Sequence, residues 1–395
     1  MDENQFEILT EKLRQHLDSS EQNWLFGAGI SYISKIPLMY PLTERVEELV
    51  NANEGDVVSQ AIYNAIKEEL LPNSHIEHFL SHLGDLIALC KRNRSNSANI
   101  GTDTNYTEEQ FLKLYDVIIG AIGETIRYGY WKSGDDIEIG TSTNPIIEIG
   151  DHINFIKALY KNISNLTSRS RLTFFTTNYD TLLEDALGLQ QIEVVDGFSG
   201  GGVGFWDPNS QFSNFRNKPN ECLLYKLHGS IDWHKDEKYG LVRSRYGTKY
   251  LDNISDILIY PQATKYTETQ KDPFSFLFSG FRDTLNSSND NVLITCGYSF
   301  GDEHINAEIE LAMQNRTNCT TLIAFVKEQT EEGIVINAVL DEWISKKPFG
   351  NRIYIAGEKG IYYNSLEPTQ PTSGGNLSWW TFSGLTKYLE TNDYE

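Results

Sequence analysis

Four short clusters of glycine and small polar residues follow apolar runs along the chain. They are residues 27–31 (GAGIS), 176–180 (TTNYD), 228–230 (HGS) and 297–302 (GYSFGD). In an open α/β sheet, ligands bind at the carboxyl ends of the strands, where clusters of this kind would converge. We therefore expect the four clusters to line one shared pocket.

The first cluster could hold a phosphate group. Gly27, Ala28 and Gly29 would let the backbone approach a pyrophosphate with its N–H groups. Tyr32 stands where the usual dinucleotide fingerprint has its third glycine. Taken alone, this motif therefore fits an ordinary strand-to-helix turn equally well.

Two side chains in the other clusters could take part in catalysis. Asn178 lies in a turn after a buried strand, whereas Asp180 is well placed to cap the helix that follows. His228 comes at a strand end and is followed by glycine. A lone histidine is more often structural, but a histidine at a strand end is a better candidate for catalysis, because the imidazole group can accept a proton.

Strands and helices alternate from residue 171 onward. The predicted strands are 172–175, 192–195, 223–227, 257–260, 292–296, 321–326 and 353–355, and the predicted helices are 181–188, 273–286, 303–315 and 330–346. This alternation predicts an α/β fold with a Rossmann-like, doubly wound, mostly parallel sheet.

The N-terminal part of the chain is predicted to be mostly helical. Its elements are helices at 4–20 and 41–70, a strand at 23–26, and polar loops at 91–107 and 132–146. We expect one domain over 1–365 that includes a large helical insertion at about 56–165. A C-terminal tail over 366–395 would follow, with Trp379 and Trp380 used for packing.

Taken together, the four clusters resemble motifs of the sirtuin family, in the same order along the chain. The similar segments are 27–31 with Ser34 and Ile36-Pro37 (the glycine loop), 177–180 (the Gln-Asn-Ile-Asp turn), 227–229 (the segment with the catalytic histidine) and 297–300 (the segment near the adenosine ribose). The resemblance covers roughly residues 20–310.

The resemblance implies an enzyme that uses NAD. Asn178 would contact the nicotinamide ribose and orient water, and His228 would act as general base. The remaining contacts to NAD would come from Gly27, Ala28, Gly29 and Ser31 at the pyrophosphate, Thr177 and Asp180 in the loop on the nicotinamide side, and Gly297, Ser299 and Asp302 at the adenosine end.

One departure from the family concerns the cysteines. Sirtuin deacetylases carry a four-cysteine zinc module after the histidine motif, whereas Cys90, Cys222, Cys296 and Cys319 are isolated and are predicted to be buried thiols. We therefore expect no zinc. The motif versions found here resemble those of bacterial sirtuin-like effectors of antiphage defence, most closely the stand-alone subunit that works with a HerA-type ATPase.

This resemblance implies a homo-oligomeric NAD glycohydrolase that consumes NAD as its substrate and depletes it in abortive infection. A sirtuin-type protein deacylase or ADP-ribosyltransferase is an alternative, against which the missing zinc module weighs. Another alternative is a non-catalytic sensor of NAD or ADP-ribose in a defence complex. The presence of Asn178 and His228 weighs against that alternative.

Two further segments have open interpretations. His75, His78 and His82 could share one helix face with Asp85, and we favour a packed polar face over a metal site there. The glycine-rich segment 197–206 (GFSGGGVGFW) fits a lid over the nicotinamide pocket and a flexible connection about equally well.

The charge balance excludes some partners. The chain has 33 basic and 55 acidic residues, for a net charge of −22, and a field of that sign repels nucleic-acid phosphates and anionic membranes. No apolar run approaches the roughly 20 residues that span a bilayer. The N-terminus also lacks the basic and apolar segments of a signal peptide, so we expect a cytoplasmic protein.

Overall fold

The computed structural model contains one large, mostly parallel sheet and one smaller antiparallel sheet. It describes residues 3–53, 55–101, 104–164, 171–236, 238–244, 257–259, 272–286, 291–315, 317–328 and 336–394. The strands of this part of the chain are β1 Glu21–Phe26, β2 Ser97–Ile100, β3 Thr104–Thr107, β4 Tyr130–Ser133, β5 Asp136–Ile139, β6 Arg171–Thr176, β7 Glu193–Val195, β8 Phe198–Gly200, β9 Gly204–Trp206, β10 Glu221–Lys226, β11 Gly229–Asp236, β12 Gly240–Arg243, β13 Ile257–Ile259, β14 Asn291–Cys296, β15 Thr321–Phe325, β16 Ile353–Ala356 and β17 Ile361–Tyr362.

Helices connect and cover these strands. They are α1 Glu3–Leu17, α2 Gly29–Tyr32, α3 Met39–Ala52, α4 Val57–Glu69, α5 Ile76–Arg92, α6 Glu108–Tyr128, α7 Gly150–Ser164, α8 Leu182–Leu189, α9 Pro208–Ser213, α10 Phe274–Leu285, α11 Glu303–Gln314, α12 Ala338–Lys346 and α13 Phe382–Thr391, with a short 3-10 helix at Gly350–Arg352.

The large sheet has the strand order β17-β16-β15-β14-β1-β6-β10-β7. Every neighbouring pair is parallel except β16 and β17, which are antiparallel. The chain leaves β1 towards β6, β10 and β7 on one side and returns through β14, β15 and β16 on the other. This arrangement confirms the predicted doubly wound α/β fold, and the chain direction reverses beside β1, where such folds bind ligands.

Both faces of the large sheet are covered. Trp24 and Phe26 of β1 pack into one apolar core with α1, α7, α8 and α13, whereas Leu25 packs into a second core with α10, α11 and α12. Successive side chains of a strand point to opposite faces, so a strand buried on both faces becomes one continuous apolar run. This is why the central strands could be predicted from short apolar runs.

Helices α3 to α6 build most of a third apolar core. The predicted helix at 41–70 is divided in two, because Asp56 caps α4 by accepting a hydrogen bond from the Ser59 amide at 3.3 Å. Helix α7 packs instead into the sheet core, through residues such as Phe155 and Leu159.

The two predicted polar loops contain short hairpins. β2 pairs with β3, and β4 pairs with β5, in antiparallel register. Gly101 and Gly134 have positive φ angles of 66° and 60° in the connecting turns, which suits tight hairpin connections. The residues of β3 and β5 are mostly exposed, so their polar sequences gave no strand signal.

The smaller sheet has the order β13-β11-β12-β9-β8, with antiparallel pairing throughout. It contains the glycine-rich segment 197–206, which forms the paired β8–β9 hairpin rather than an irregular connection. Gly197 is required there, because its φ is +90° and a Cβ would lie 2.4 Å from the Trp206 ring.

The C-terminal residues pack into the sheet core. Trp379 is fully buried and donates a hydrogen bond to the Gly357 carbonyl at 2.8 Å, which confirms its predicted packing role. Phe382 and Leu385 of α13 join the same apolar core, and Trp380 packs against it while partly exposed. None of the described helices is both long enough and apolar enough to cross a membrane.

The prediction that all four cysteines are buried is wrong for Cys319. Cys90, Cys222 and Cys296 are buried, but Cys319 is exposed. Its neighbours Asn318 and Thr320 both turn inward to donate to the Leu285 carbonyl, at 2.6 and 2.9 Å, so the side chain between them faces solvent.

Candidate active site

Three glycines allow the loops after β1 and β14 to touch. A Cβ on Gly27 would lie 2.5 Å from the Gly297 carbonyl oxygen, and one on Gly29 would lie 2.7 Å from the Gly297 Cα. Gly297 has a φ of +63°, and its own Cβ would lie 2.5 Å from the Ile30 nitrogen. These glycines are therefore needed first for the contact between the two loops.

The contact between the two loops also determines which backbone amides can donate a hydrogen bond to a ligand. The Gly27 amide donates to the Cys296 carbonyl at 3.3 Å, and the Gly29 amide donates to the Gly297 carbonyl at 3.0 Å. Ala28 lies between them and is exposed. Among the residues that the structure describes, no hydrogen-bond acceptor contacts the Ala28 amide.

Ser31, Asn178 and Asp180 form one buried hydrogen-bonded group. The Ser31 hydroxyl donates to Asp180 Oδ2 at 2.7 Å and accepts from Asn178 Nδ2 at 2.9 Å. Asp180 Oδ1 accepts from the Leu182 amide at 3.0 Å, so the same carboxylate also binds the first amide of α8, although the N-cap position itself is Thr181. The structure therefore joins the first two sequence clusters through side chains, as the shared-pocket prediction requires.

The other end of the Asn178 side chain is unsatisfied. Asn178 is only 7% exposed, and its Oδ1 atom is buried without a hydrogen-bond partner among the described residues. A buried amide oxygen without a partner costs folding free energy, because it has lost its hydrogen bonds to water and no protein donor replaces them. Such an atom indicates a place where a ligand or a bound water supplies the missing donor.

His228 and Asp302 form a second buried pair. Asp302 Oδ2 lies 2.8 Å from His228 Nε2, and both side chains are buried. Asp302 Oδ1 accepts from the His304 and Ile305 amides at 3.0 and 3.3 Å, so the residue also caps α11. The structure thus brings the third and fourth sequence clusters together.

The rest of the fourth cluster braces Asp302. The Tyr298 hydroxyl donates to Asn306 Oδ1 at 2.9 Å and to the Asp302 carbonyl at 3.3 Å. Burial raises the pKa of Tyr298 well above its ordinary value, so the hydroxyl stays protonated as a donor. Ser299 is exposed, and its carbonyl accepts from Asn337 Nδ2 at 3.0 Å.

Thr177 ties the Asn178 turn to β1. Its amide donates to the Phe26 carbonyl at 3.0 Å, and its hydroxyl lies 3.4 Å from the same oxygen. Thr177 is partly exposed, whereas the residues on both sides of it are buried. The backbone contact continues the parallel pairing of β1 with β6 by one residue and fixes where the turn begins.

Lys226 is a buried cation beneath this turn that sequence reasoning missed. It donates to the Asp180 carbonyl and to Glu184 Oε1, the latter at 2.8 Å, and is only 2% exposed. A lysine directly after the apolar run 222–225, in a strand that is wholly buried, was the available signal, because a buried ammonium group needs partners.

His75, His78 and His82, at the N-cap and in the first two turns of α5, make separate contacts. The His75 amide donates to His78 Nδ1 at 3.1 Å, and His82 Nε2 lies 2.8 Å from Glu69 Oε2. Within the described residues, no group of three or more His, Cys, Asp or Glu side chains could hold a metal ion.

Comparison with known proteins agrees with part of the predicted resemblance. Residues 172–343 match the family model described as the SIR2-like domain. The matched stretch is sirtuin-like. It contains Asn178, His228 and the 297–302 cluster, and it begins after the 27–31 cluster.

One solved structure that the comparison with this chain returned is described as the crystal structure of a Sir2 homologue–NAD complex. It has 12% sequence identity and a TM-score of 0.37 to this chain, over 80% of this chain and 82% of that chain. No curated protein matches the sequence.

Proposed function

We propose that this protein is an NAD glycohydrolase, which cleaves NAD to nicotinamide and ADP-ribose. The observation that carries the proposal is the unsatisfied buried Oδ1 of Asn178, held in place by Ser31 beside the glycine loop. The match of residues 172–343 to the SIR2-like domain supports NAD as the substrate, and the histidine–carboxylate pair supplies proton transfer.

The reaction breaks the bond between ribose C1′ and the pyridinium nitrogen, and the bonding electron pair leaves with neutral nicotinamide. The transition state has oxocarbenium character, as in glycoside hydrolysis. Because the leaving group starts as a cation, no strong acid is needed. The site must hold the ribose, place water at C1′ and accept one proton from that water.

Asn178 is suited to the positioning step. Its Nδ2 is occupied by the Ser31 hydroxyl, which fixes the side chain so that Oδ1 is the atom offered to the ligand. An amide oxygen accepts hydrogen bonds, so it would hold a ribose hydroxyl or the attacking water by its O–H group. Asp180 fixes Ser31 from the other side.

His228 is suited to the proton-transfer step. With Asp302 Oδ2 at 2.8 Å from Nε2, a proton carried on Nε2 would face the carboxylate, and Nδ1 would be the nitrogen that accepts a proton in the proposed step. In the proposed step, water forms a bond to C1′ and gives its proton to the imidazole. Asp302 then stabilises the imidazolium that results.

The pyrophosphate would meet the loop after β1. Ala28 is an exposed residue, and its amide lies between two amides that are already hydrogen-bonded, so it is the N–H group that we expect to reach a phosphate oxygen. In a chain with a net charge of −22, backbone amides can bind a phosphate without adding basic side chains.

Replacing the two central side chains tests this function. Asn178→Ala and His228→Ala should each lower the rate of NAD consumption by about 100-fold or more, since each removes a group that acts on the reacting ribose or water. The measurement is nicotinamide release followed by chromatography. Thermal unfolding of the same preparations controls for loss of fold. Near-wild-type turnover in both variants would contradict the roles assigned to Asn178 and His228.

We further propose, from the sequence resemblance, that the activity serves antiphage defence in the cytoplasm, in a homo-oligomer partnered by a HerA-type ATPase. The strongly acidic chain favours an arrangement in which another protein contacts any nucleic acid. Measurement of cellular NAD after phage infection, with the wild-type protein and with Asn178→Ala, tests this role. Equal NAD loss in both strains would contradict it.

A further inference from the structure

The apolar core of the helical insertion extends into the candidate active site. This core, built mainly by α3 to α6, also contains Tyr179, Leu182 and Ile231. Tyr179 lies between Asn178 and Asp180, and Ile231 lies three residues after His228. The two segments that carry the candidate catalytic side chains are therefore packed against the insertion on one side and against the sheet on the other.

Two polar contacts accompany this packing. The Tyr179 hydroxyl donates to Glu77 Oε1 on α5 at 3.0 Å, and Arg127 Nη2 on α6 donates to the Ile231 carbonyl at 3.2 Å. Glu77 is itself only 6% exposed. A buried carboxylate in a helix of an apolar core requires a reason, since removing its charge from water costs free energy that partners must offset.

We propose that Glu77 is a positioning residue for the reaction, acting on Asn178 and Asp180 through the hydroxyl of Tyr179. This inference rests on the proposed function and adds to it the role of the insertion. Among the described residues, the hydrogen bond of Glu77 is made to Tyr179 and not to Asn178, Asp180 or His228. Glu77 holds Tyr179, which lies between Asn178 and Asp180 in the chain.

The geometry of the turn explains how this works. Asn178 and Asp180 both reach Ser31, whereas Tyr179 reaches Glu77 on the insertion. The Tyr179 carbonyl accepts from the Ile231 amide at 2.9 Å and from the Ser230 hydroxyl at 3.3 Å. Tyr179 is therefore held at its backbone and at the tip of its side chain, which leaves the turn little freedom to rotate.

The chemical state of Tyr179 fits this role. Burial, with Glu77 as a further cause, raises the pKa of the Tyr179 hydroxyl well above its ordinary value. The hydroxyl therefore remains a donor throughout the working pH range. A phenylalanine would keep the apolar packing but leave the Glu77 carboxylate without this partner, so the turn would lose its attachment to α5.

The test compares Tyr179→Phe, Glu77→Ala and Glu77→Gln with a matched control, Tyr362→Phe. Tyr362 on β17 also donates to a buried glutamate, Glu328, at 2.7 Å, so the control removes the same kind of bond at the edge of the sheet.

Tyr179→Phe and Glu77→Ala should lower kcat for NAD hydrolysis by about 10-fold or more, with KM changed by less than about 3-fold, because small misplacement of catalytic groups is costly. Glu77→Gln keeps an acceptor oxygen and should retain most of the rate, and Tyr362→Phe should remain within about 2-fold of wild type.

A second readout does not depend on activity. Amide hydrogen exchange of the peptide spanning 176–182, measured by mass spectrometry, should become faster in Tyr179→Phe and Glu77→Ala and stay unchanged in Tyr362→Phe. Unchanged kcat together with unchanged exchange in both variants overturns the proposal. If the wild-type protein fails to hydrolyse NAD, the proposed function fails on its own, and the exchange data alone decide the positioning role.

Discussion

At the scale of single residues, Asp302 shows most clearly what the fold adds to the sequence. Its sequence context predicted a place at the adenosine end, and its helix-capping contacts follow from its position before α11. The structure also places Oδ2 2.8 Å from His228 Nε2. β14 and β10 are separated in the sheet by β1 and β6, so no local pattern could have revealed this contact.

The pair yields a specific prediction for Asp302→Asn. The amide oxygen of asparagine can still cap α11, but its NH2 group would face His228 Nε2 and require that nitrogen to accept. The ring would then carry its proton on the wrong nitrogen. We expect kcat for NAD hydrolysis to fall by about 100-fold or more while the melting temperature changes little.

Asp302→Ser serves as the control for capping, because serine keeps a capping oxygen but cannot reach the imidazole with a carboxylate. It should lose activity as Asp302→Asn does. Wild-type turnover in Asp302→Asn, measured by nicotinamide release, would contradict an orienting role for the carboxylate.

Asn178 and His228 themselves could be proposed from sequence, because they follow short apolar runs that end in turns. Lys226 and Glu77 could not be assigned in the same way. Lys226 contacts Asp180 and Glu184, and Glu77 contacts Tyr179. Each of these contacts joins segments that are distant in the chain or belong to different layers.

At the scale of secondary-structure elements, the contact between the loops after β1 and β14 gives a second prediction. Gly297→Ala would require an alanine at a φ of +63° and a Cβ 2.5 Å from the Ile30 nitrogen. The backbone has to shift, so we expect destabilisation by about 1–3 kcal/mol and loss of the pocket geometry. Chemical denaturation measures the first effect and NAD turnover the second.

Gly301→Ala is the matched control in the same loop. A Cβ at Gly301 would meet only the Ser299 hydroxyl at 3.3 Å, and that side chain can move. This variant should stay within about 0.5 kcal/mol of wild type. If Gly297→Ala proved as stable and as active as Gly301→Ala, the close contact of the two loops would not be required.

Seven of the eight strands in the large sheet were predicted to within about two residues, because strands buried on both faces are apolar runs between polar turns, whereas the two-residue strand β17 was not predicted. Residues 330–335 of the predicted helix at 330–346 lie outside the described residues. The described helix in this region is α12, Ala338–Lys346. The hairpins near 97–107 and 130–139 were missed because short, half-exposed strands lack both an apolar run and a clear alternation.

At the scale of the whole molecule, the last helix belongs to the sheet core. Phe382 at the start of α13 is 5% exposed, and its ring centroid lies 5.0 Å from that of Phe155 and 4.9 Å from that of His152. The sequence indicated a tail here because a polar, proline- and glycine-containing stretch precedes it. That stretch carries no information about where the following helix packs.

Phe382→Ala should therefore destabilise the protein by about 3–5 kcal/mol, the usual cost of removing a buried phenylalanine. Leu366→Ala, at a position that is 42% exposed, should change the free energy of unfolding by less than about 0.5 kcal/mol. Equilibrium denaturation of the two variants checks the difference. A Phe382→Ala variant as stable as Leu366→Ala would show that α13 contributes nothing to the core.

The central claim is that this site hydrolyses NAD without a second substrate. The most direct measurement is chromatographic quantification of products after incubating the purified protein with NAD and no acylated peptide. We expect equal amounts of free nicotinamide and ADP-ribose from the wild-type protein and neither product from Asn178→Ala. Nicotinamide release that requires an acylated peptide, or that continues unchanged in Asn178→Ala, would contradict it.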